Sequence, residues 1–467
     1  MTPDQIRYQK LWSFPNPKDS YTKENYNRVS DIKVSQQKFY DEYHVSGHQI
    51  FNRNYYKDIQ ILDDKKNVIE TIEVDRVAFS IQFESVDIVL AHLLGNHTQF
   101  TDSTVGENRA ELMAQYKEFW DTKNMESFRN QFAKSALAVG DVAGLFYYEG
   151  NILKWKILSF LDNEQIYIKN DKYGELEYFG RFYFVMEAGA LVEYCDIIDK
   201  VYSKTFKQND SAIWTEVSSG AHGFKSIPVV YHFRKGGAFW TPAQNNIDKL
   251  EVMMSELSED NHSKTKSLYH IGTDNPDSVQ KDTGGGVDTI VTDKDGKFSL
   301  IQGADISTQF EKTYEILMER IMNPLGMVYP KSKSSGDMPT GSMKMMFFPT
   351  ERVVFQLINE FNEPLDKINS IFKEGMIKEH NELANELVKL NVSASIKMFT
   401  PQDDASVMTM LGQGKAMGIL STQTASENAP YAANDENKRI EEEMVAEEAR
   451  LALDINPQPD NKDGNTN

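Results

Sequence analysis

PKSKSSGDMPTGSMKMMFFPTERVVFQLINEFNEPLDKINSIF, residues 330–372, is the stretch from which the fold is read. It opens as a small, polar, glycine-bearing loop and runs straight into a long amphipathic pattern. Apolar residues recur at Val354, Leu357, Ile358, Phe361, Leu365, Ile368 and Phe372, the spacing of a helix with one buried face. Pro349 and Pro364 each delete a backbone donor and crowd the preceding turn, which predicts a bent helix. Thr340 or Ser342 is placed to cap its start. A long bent helix fed by a polar loop is a mechanical part, not a catalytic pocket.

Outward from that stretch, composition sets the class. Apolar residues make up 40% of the 467, enough for real cores and for several domain-sized units. Seventy Asp and Glu face fifty Lys and Arg, a net charge of −20. Phosphate gripping relies on clustered Lys and Arg, so the chain reads as a poor generic nucleic-acid binder. An acidic surface still suits a protein that must face DNA without holding it. Cys195 is the lone cysteine, which leaves no internal disulfide and no cysteine-based zinc site. A reducing compartment is expected. The first residues, MTPDQIRYQKLW, lack a signal-peptide core, and no run of about 18 apolar residues offers a membrane span.

Along the chain, residues 1–65 read as a polar arm with short helices, one over Asp31–Tyr43. Helices are expected over Arg76–Leu94, Gly106–Trp120 and Met125–Ala138, the last stopped by Gly140. From Asp141 the aromatic and branched pattern predicts an antiparallel meander. It continues to Glu216 and closes at Ile227–Tyr231. A helix after Pro242, carrying Ile247, Leu250, Met254 and Leu257 on one side, and another carrying Ile306, Phe310, Tyr314, Leu317 and Ile321 bracket a short-stranded insertion, Leu268–Ala304. That insertion holds Gly284-Gly285-Gly286 and a hairpin signal at Asp295-Gly296. After the bent helix come a strand at Asn391–Phe399, helices over Asp403–Leu420 and Asn434–Leu453, and a tail without apolar residues beyond Ile455. The acidic run Glu436–Glu448 reads as a solvated helix face, or as a ring of acids if copies assemble symmetrically.

Several segments imitate chemical sites. Gly284–Gly286 is followed by Val287-Asp288, not by the Lys and hydroxyl of a phosphate-binding loop. Gly412-Gln413-Gly414-Lys415 is a nearer echo, but it lies in a helical pattern and Ala416 replaces the hydroxyl. Asp293-Lys294-Asp295-Gly296 starts like a calcium loop yet lacks the later ligands, with Phe298 and Leu300 following. The nine histidines are scattered, and His92 in an apolar helix reads as a core histidine. Met338, Met343, Met345 and Met346 read as packing rather than a soft metal site. No metal, cofactor or catalytic residue is expected.

The element order resembles the portal, or head-to-tail connector, proteins of tailed double-stranded DNA bacteriophages. The most specific segment is Gly336–Met346, GDMPTGSMKMM, similar to that family's Gly/Ser loop and Gly-Ser-x-x-Lys at the opening of a long kinked helix. Further echoes are Gln131–Ala136 with Gly140-Asp141, Gly223–Val230, and Leu420–Thr424 before Asn428-Ala429-Pro430. The resemblance spans about residues 76–450. The arm and the tail match nothing.

The resemblance implies an α+β portal fold arranged as a ring: arm 1–65, wing 66–241, stem helix 242–266, clip 267–304 and second stem helix 305–329. Tunnel loop 330–340, kinked helix 341–390, returning strand 391–400, crown 401–453 and disordered tail 454–467 complete it. It places Lys331, Lys333, Ser334, Ser335, Gly336 and Asp337 at the DNA channel, Lys344, Pro349 and Pro364 on the kinked helix, and Gly284, Gly285, Gly286, Asp295 and Gly296 at a docking surface. The stem helices read as short for the family, and the loop carries both signs of charge. The implied partners are further copies of the chain (commonly a dodecamer), double-stranded DNA without sequence preference, a packaging motor ATPase (terminase), the major capsid and scaffold proteins, and a head-completion or tail adaptor. The implied place is the virion, after assembly in the host cytoplasm, without a membrane. The competing reading is a non-viral acidic scaffold that docks partners through Leu268–Ala304. An enzyme, such as a hydrolase with a helical cap, would need a convergent ionisable constellation that the sequence does not offer.

Overall fold

The computed structural model describes residues 36–62, 65–102, 110–208, 214–265, 267–273, 287–293, 307–328, 340–399, 404–427, 429, 439–440 and 442–445. The chain divides into two compact units, one of 1–331 with 348–399 and one of 332–347 with 400–467.

The first unit opens with helix α1 over 36–43, two 3-10 turns and a hairpin of β1 (Ile59–Leu62) and β2 (Val68–Ile72). Helix α2 covers Ile81–Leu94. The expected start at Arg76 is five residues too early, for a reason outside the segment. The amides of Val77 and Phe79 donate to Ser255 Oγ (2.9 Å) and Glu251 Oε1 (3.1 Å). With their donors taken by side chains of a distant helix, residues 73–80 remain irregular. His92 is only half-buried; its Nδ1 lies 3.0 Å from the Phe399 carbonyl, so it is no core histidine.

After β3 (Gln99–Asp102) come α3 (Ala110–Thr122) and α4 (Met125–Val139). Gly140 ends α4 with φ +73°, its N–H bonded to Ala136, the left-handed cap that glycine adopts without penalty. The expected single meander is two sheets. β4 (Asp141–Glu149) and β5 (Ile152–Ser159) join β11 (Val229–Phe233) in the order β11-β4-β5. β6 (Gln165–Asn170), β7 (Leu176–Glu187), β8 (Ala190–Ile198), β9 (Tyr202–Gln208) and β10 (Trp214–Ala221) form the second sheet in consecutive order. A 3-10 turn at Phe160–Asp162 switches the chain between them.

Alternation explains the layering. Phe179 and Ile198 share a core with Ala143, Leu145, Leu158 and Val229 of the smaller sheet. Phe182, Cys195 and Phe206, on the opposite face, form a separate cluster. Burial pushes the Cys195 thiol well above its usual range, so it stays protonated and inert. The outer face of the smaller sheet, through Val142, Phe146, Ile157 and Val230, meets the main helical core.

Helix α5 (Gln244–Thr265) leads into β12 (Ser267–Thr273), and β13 (Val287–Asp293) precedes α6 (Ser307–Leu325). β12 and β13 pair in parallel, from Ser267 with Val287 to Thr273 with Asp293. Helix α7 runs from Thr340 to Glu379. Thr340 and Ser342 lie within that range, but their side chains, and with them the expected cap, lie outside the described residues. The helix ends where His380 leaves helical geometry (φ −113°, ψ 69°), short of the 390 that the resemblance implies. A 3-10 turn, helix α8 (Ala384–Lys389) and β14 (Val392–Ser395) follow, β14 pairing antiparallel with β3.

In the second unit, α9 (Asp404–Ala416) contains the Gly412–Lys415 echo, as its helical pattern indicated. The chain then turns into α10 (Thr422–Glu427), with Leu420 N–H on the Gly414 carbonyl (3.1 Å) and Thr424 N–H on Ser421 Oγ (3.0 Å).

Candidate functional site

Helix α7 is the organising part. Its apolar face supplies Val353, Val354, Leu357, Phe361, Leu365, Ile368, Ile371, Phe372 and Met376 to the main core. Both Pro349 and Pro364 lie within the helix, Pro364 buried and Pro349 half-buried. Each leaves the carbonyl four residues earlier, at Met345 and Glu360, without its helical donor.

Four anchors fix α7 to its surroundings. At Thr350 the hydroxyl bonds the Gly326 carbonyl, directly beyond the end of α6. Gly326 has φ +64°, and a Cβ there would sit 3.0 Å from both the Pro349 carbonyl and Val353 Cγ2, so only glycine fits. At Glu360 the carboxylate holds His232 (3.2 Å) and Arg234 (3.2 Å) of the smaller sheet and the turn beyond it. Burial opposes its charge, but the His232 hydrogen bond and Arg234 outweigh that and hold the carboxyl below its ordinary value.

At Asn369 the side chain accepts from Tyr116 Oη (2.6 Å) and donates to the Val392 carbonyl (2.8 Å), joining α3 and β14 to the helix. One turn on, the Phe372 ring meets Tyr116, Phe119 and Trp120 with centroids 5.5, 5.0 and 5.0 Å away. At Glu379 one oxygen pairs with Lys123 (2.7 Å) and the other accepts from Leu153 N–H (2.8 Å) of β5.

Beside α7, helices α5 and α6 pack on each other, with Ile247, Leu250, Met318, Ile321 and Leu325 entering the same core. They bracket the β12–β13 pair. Thus the segment before residues 329–339 is seated on α7, and the insertion grows from a packed helix pair.

Sequence reasoning named residues that divide between described and undescribed parts. Lys331, Lys333, Ser334, Ser335, Gly336 and Asp337 lie outside the described residues, as do Gly284, Gly285, Gly286, Asp295 and Gly296. Lys344 lies in α7, its side chain outside the description, and of the Met cluster only Met346 has a described side chain. Among the described residues no group of three His, Cys, Asp or Glu could hold a metal, and no helix is long and apolar enough to cross a membrane.

The polar anchors escaped sequence reasoning altogether. Glu360 and His232 are separated by 128 positions, and a single Glu on a helix reads as solvated until its partner strand is placed beside it. A Glu on the apolar side of a heptad pattern was the one faint signal.

This arrangement, a long proline-bearing helix entered from a polar segment and braced by a helix pair with a small strand insertion, coincides with a family match. A model described as "Phage portal protein, SPP1 Gp6-like" matches residues 35–449. The chain belongs to that family. Among solved structures, a chain from the "Neck of empty GTA particle computed with C6 symmetry" is similar over 74% of this chain and 88% of its own, at 10% identity and a TM-score of 0.39, too distant to add to the assignment. None of the curated proteins matches. Within the portal family the α+β architecture expected from the sequence stands as a mixed helix-and-strand fold.

Proposed function

We propose that copies of this chain form a ring at one capsid vertex, through which double-stranded viral DNA is packaged and later ejected. The ring is also the platform on which a packaging motor ATPase and then head-completion or tail proteins dock, and it sits among major capsid and scaffold proteins. It does no covalent chemistry itself. The observation that carries this reading is the portal-family match over 35–449. The spine geometry supports it: from Thr350 to Glu379, α7 ties the segment after α6 to helices and sheets.

In this reading, segment 330–340 faces the channel, β12–β13 with the residues between and after them serve as the docking insertion, and α7 links the two to the broad sheet-bearing region. A channel wall that met phosphates with many fixed cations would release counterions and hold DNA tightly. A conduit requires low, sequence-independent friction. A net charge of −20 with Lys331 and Lys333 in the channel-facing segment meets that requirement, with a few positives that centre the duplex.

Negative-stain electron microscopy of the purified protein tests the assembly: rings with an axial hole are expected. A monomer at all concentrations would favour the acidic-scaffold alternative. A ring whose 330–340 segment lies on its outer rim would refute the channel assignment while leaving the ring intact.

A further inference from the structure

His48 is buried, with its side chain 2% exposed, and each ring nitrogen faces an acceptor. Nδ1 lies 2.6 Å from Glu251 Oε1 on α5, and Nε2 lies 2.9 Å from the Glu42 carbonyl at the end of α1. A carbonyl accepts only, so Nε2 must carry a proton. The Nδ1–Oε1 contact then needs a second proton, held on the imidazole or on the carboxyl. Glu251 Oε1 also accepts the Phe79 amide at 3.1 Å, so the same oxygen ties down the irregular segment before α2.

Around this pair stand other acids. Glu42 accepts from Trp240 Nε1 (2.9 Å) and lies 3.5 Å from Lys38. Asp248, one turn before Glu251, accepts from Gln244 (2.7 Å). Tyr55, on the segment that follows His48, feels Asp248 and Glu251. On α2, Asp87 acts on neighbouring Tyr43 rather than on His48.

We infer that one shared proton between His48 and Glu251 is a latch that fastens segment 36–58 to α5 and to the irregular run 73–80, and that alkaline pH opens it. Without that proton, a lone pair on Nδ1 faces a carboxylate 2.6 Å away in a buried site, and the contact becomes repulsive. The cluster responds in one direction. Burial alone would lower the His48 value, but the Glu251 bond and charge with the Glu42 carbonyl carry it above 6.5. Glu42 and Asp248 are also raised, chiefly by burial. Groups raised on folding contribute below their unfolded values and lose that contribution as pH rises through the folded ones. The latch therefore weakens above pH 6.5.

Hydrogen exchange read by mass spectrometry on the full chain, in its native assembly and corrected for intrinsic exchange between pH 6 and 9.5, tests this. In the unmodified protein, protection of peptides within 36–58 should fall about tenfold per pH unit from the ordinary histidine value of 6.5 up to the raised value of the closed state, the slope of one linked proton, and level off above it. Peptides of β7–β8 should keep theirs. Glu251→Gln removes the titration but keeps only one of the two contacts made by Oε1: an amide N–H in that place donates to neutral Nδ1 and no longer accepts from Phe79. This variant should make protection of 36–58 independent of pH across the range, while residues 73–80 loosen at every pH. His48→Ala should leave the segment open at every pH. Constant protection in the unmodified protein, or the same pH-dependent fall in Glu251→Gln, would overturn the latch.

Discussion

Phe372→Ala is expected to damage the molecule far more than Phe355→Ala, although both remove a phenyl ring from α7. The Phe372 ring has no exposed surface and meets three aromatic rings at 5.0–5.5 Å. Truncating a buried Phe costs about 3–5 kcal/mol, combining lost transfer energy with the cavity left behind. Three aromatic pairs at about 0.5–1.5 kcal/mol each account for a large share of that cost. Two of the partners, Tyr116 and Trp120, are themselves fully buried and hydrogen-bonded, to Asn369 and Glu126, so they are not free to collapse into the space. The upper half of the range is therefore expected, about 4 kcal/mol. Phe355 is 63% exposed, and its truncation should stay within about 0.5 kcal/mol. Urea unfolding at one fixed protein concentration measures both, because assembly adds its own stabilisation. Tryptophan emission is a suitable probe, since Trp120 touches the Phe372 ring. A loss below about 1 kcal/mol for Phe372→Ala, or equal losses for the two variants, would refute α7 as a spine packed into the core.

Gly326→Ala forces a side chain into left-handed backbone against the Pro349 carbonyl; a loss of about 1–2 kcal/mol from the backbone alone is expected in the same assay, and an unchanged midpoint argues against the seat. The Glu360 carboxyl lies below its ordinary value of 4.5, so its contribution is present above that pH and disappears as pH falls through the folded value. Glu360→Gln should flatten the acid limb of a stability-against-pH curve, and an identical limb in both proteins would count against the His232–Arg234 anchor. The double substitution Lys331→Glu with Lys333→Glu should leave ring assembly intact while lowering packaged or retained DNA; normal genome content would remove the segment from the channel.

Element types were legible wherever one element supplies its own periodic signal. The apolar spacing from Val354 to Phe372 appears as one face of α7, and the glycine after Val139 ends α4 in the conformation glycine favours. Boundaries failed where a partner distant in sequence decides the backbone. Residues 76–80 look helical by composition, but α5 side chains take the amides of Val77 and Phe79. The split into two sheets was hidden because alternation marks which face is buried but not which strand lies alongside; β10 and β11 follow one another in sequence and belong to different sheets. Of the candidate site, the prolines of α7 were readable because proline acts through its own ring. Glu360, Asn369 and the His48–Glu251 pair were not, because a polar residue acquires its role only from the group that folding sets against it.

The two prolines of α7 are not equivalent, and the anchors say why. From Thr350 to Glu379 the helix advances about 44 Å at 1.5 Å per residue, and it is tied down at Thr350, Glu360, Asn369 and Glu379. Pro364 falls between the second and third ties, so any bend there is held on both sides by a packed core. Pro349 falls one residue outside the first tie, and the boundary between the compact units lies between Phe347 and Phe348. A change of direction at Pro349 therefore breaks no described anchor, whereas one at Pro364 strains Glu360 against Asn369. Pro349→Ala restores a donor for the Met345 carbonyl and should straighten the helix entry, altering DNA packaging with little change in the unfolding of the first unit. Pro364→Ala should instead register in that unfolding. If a structure of the Pro349→Ala variant keeps the helix path unchanged and its rings package DNA normally, the proline next to the polar segment is incidental.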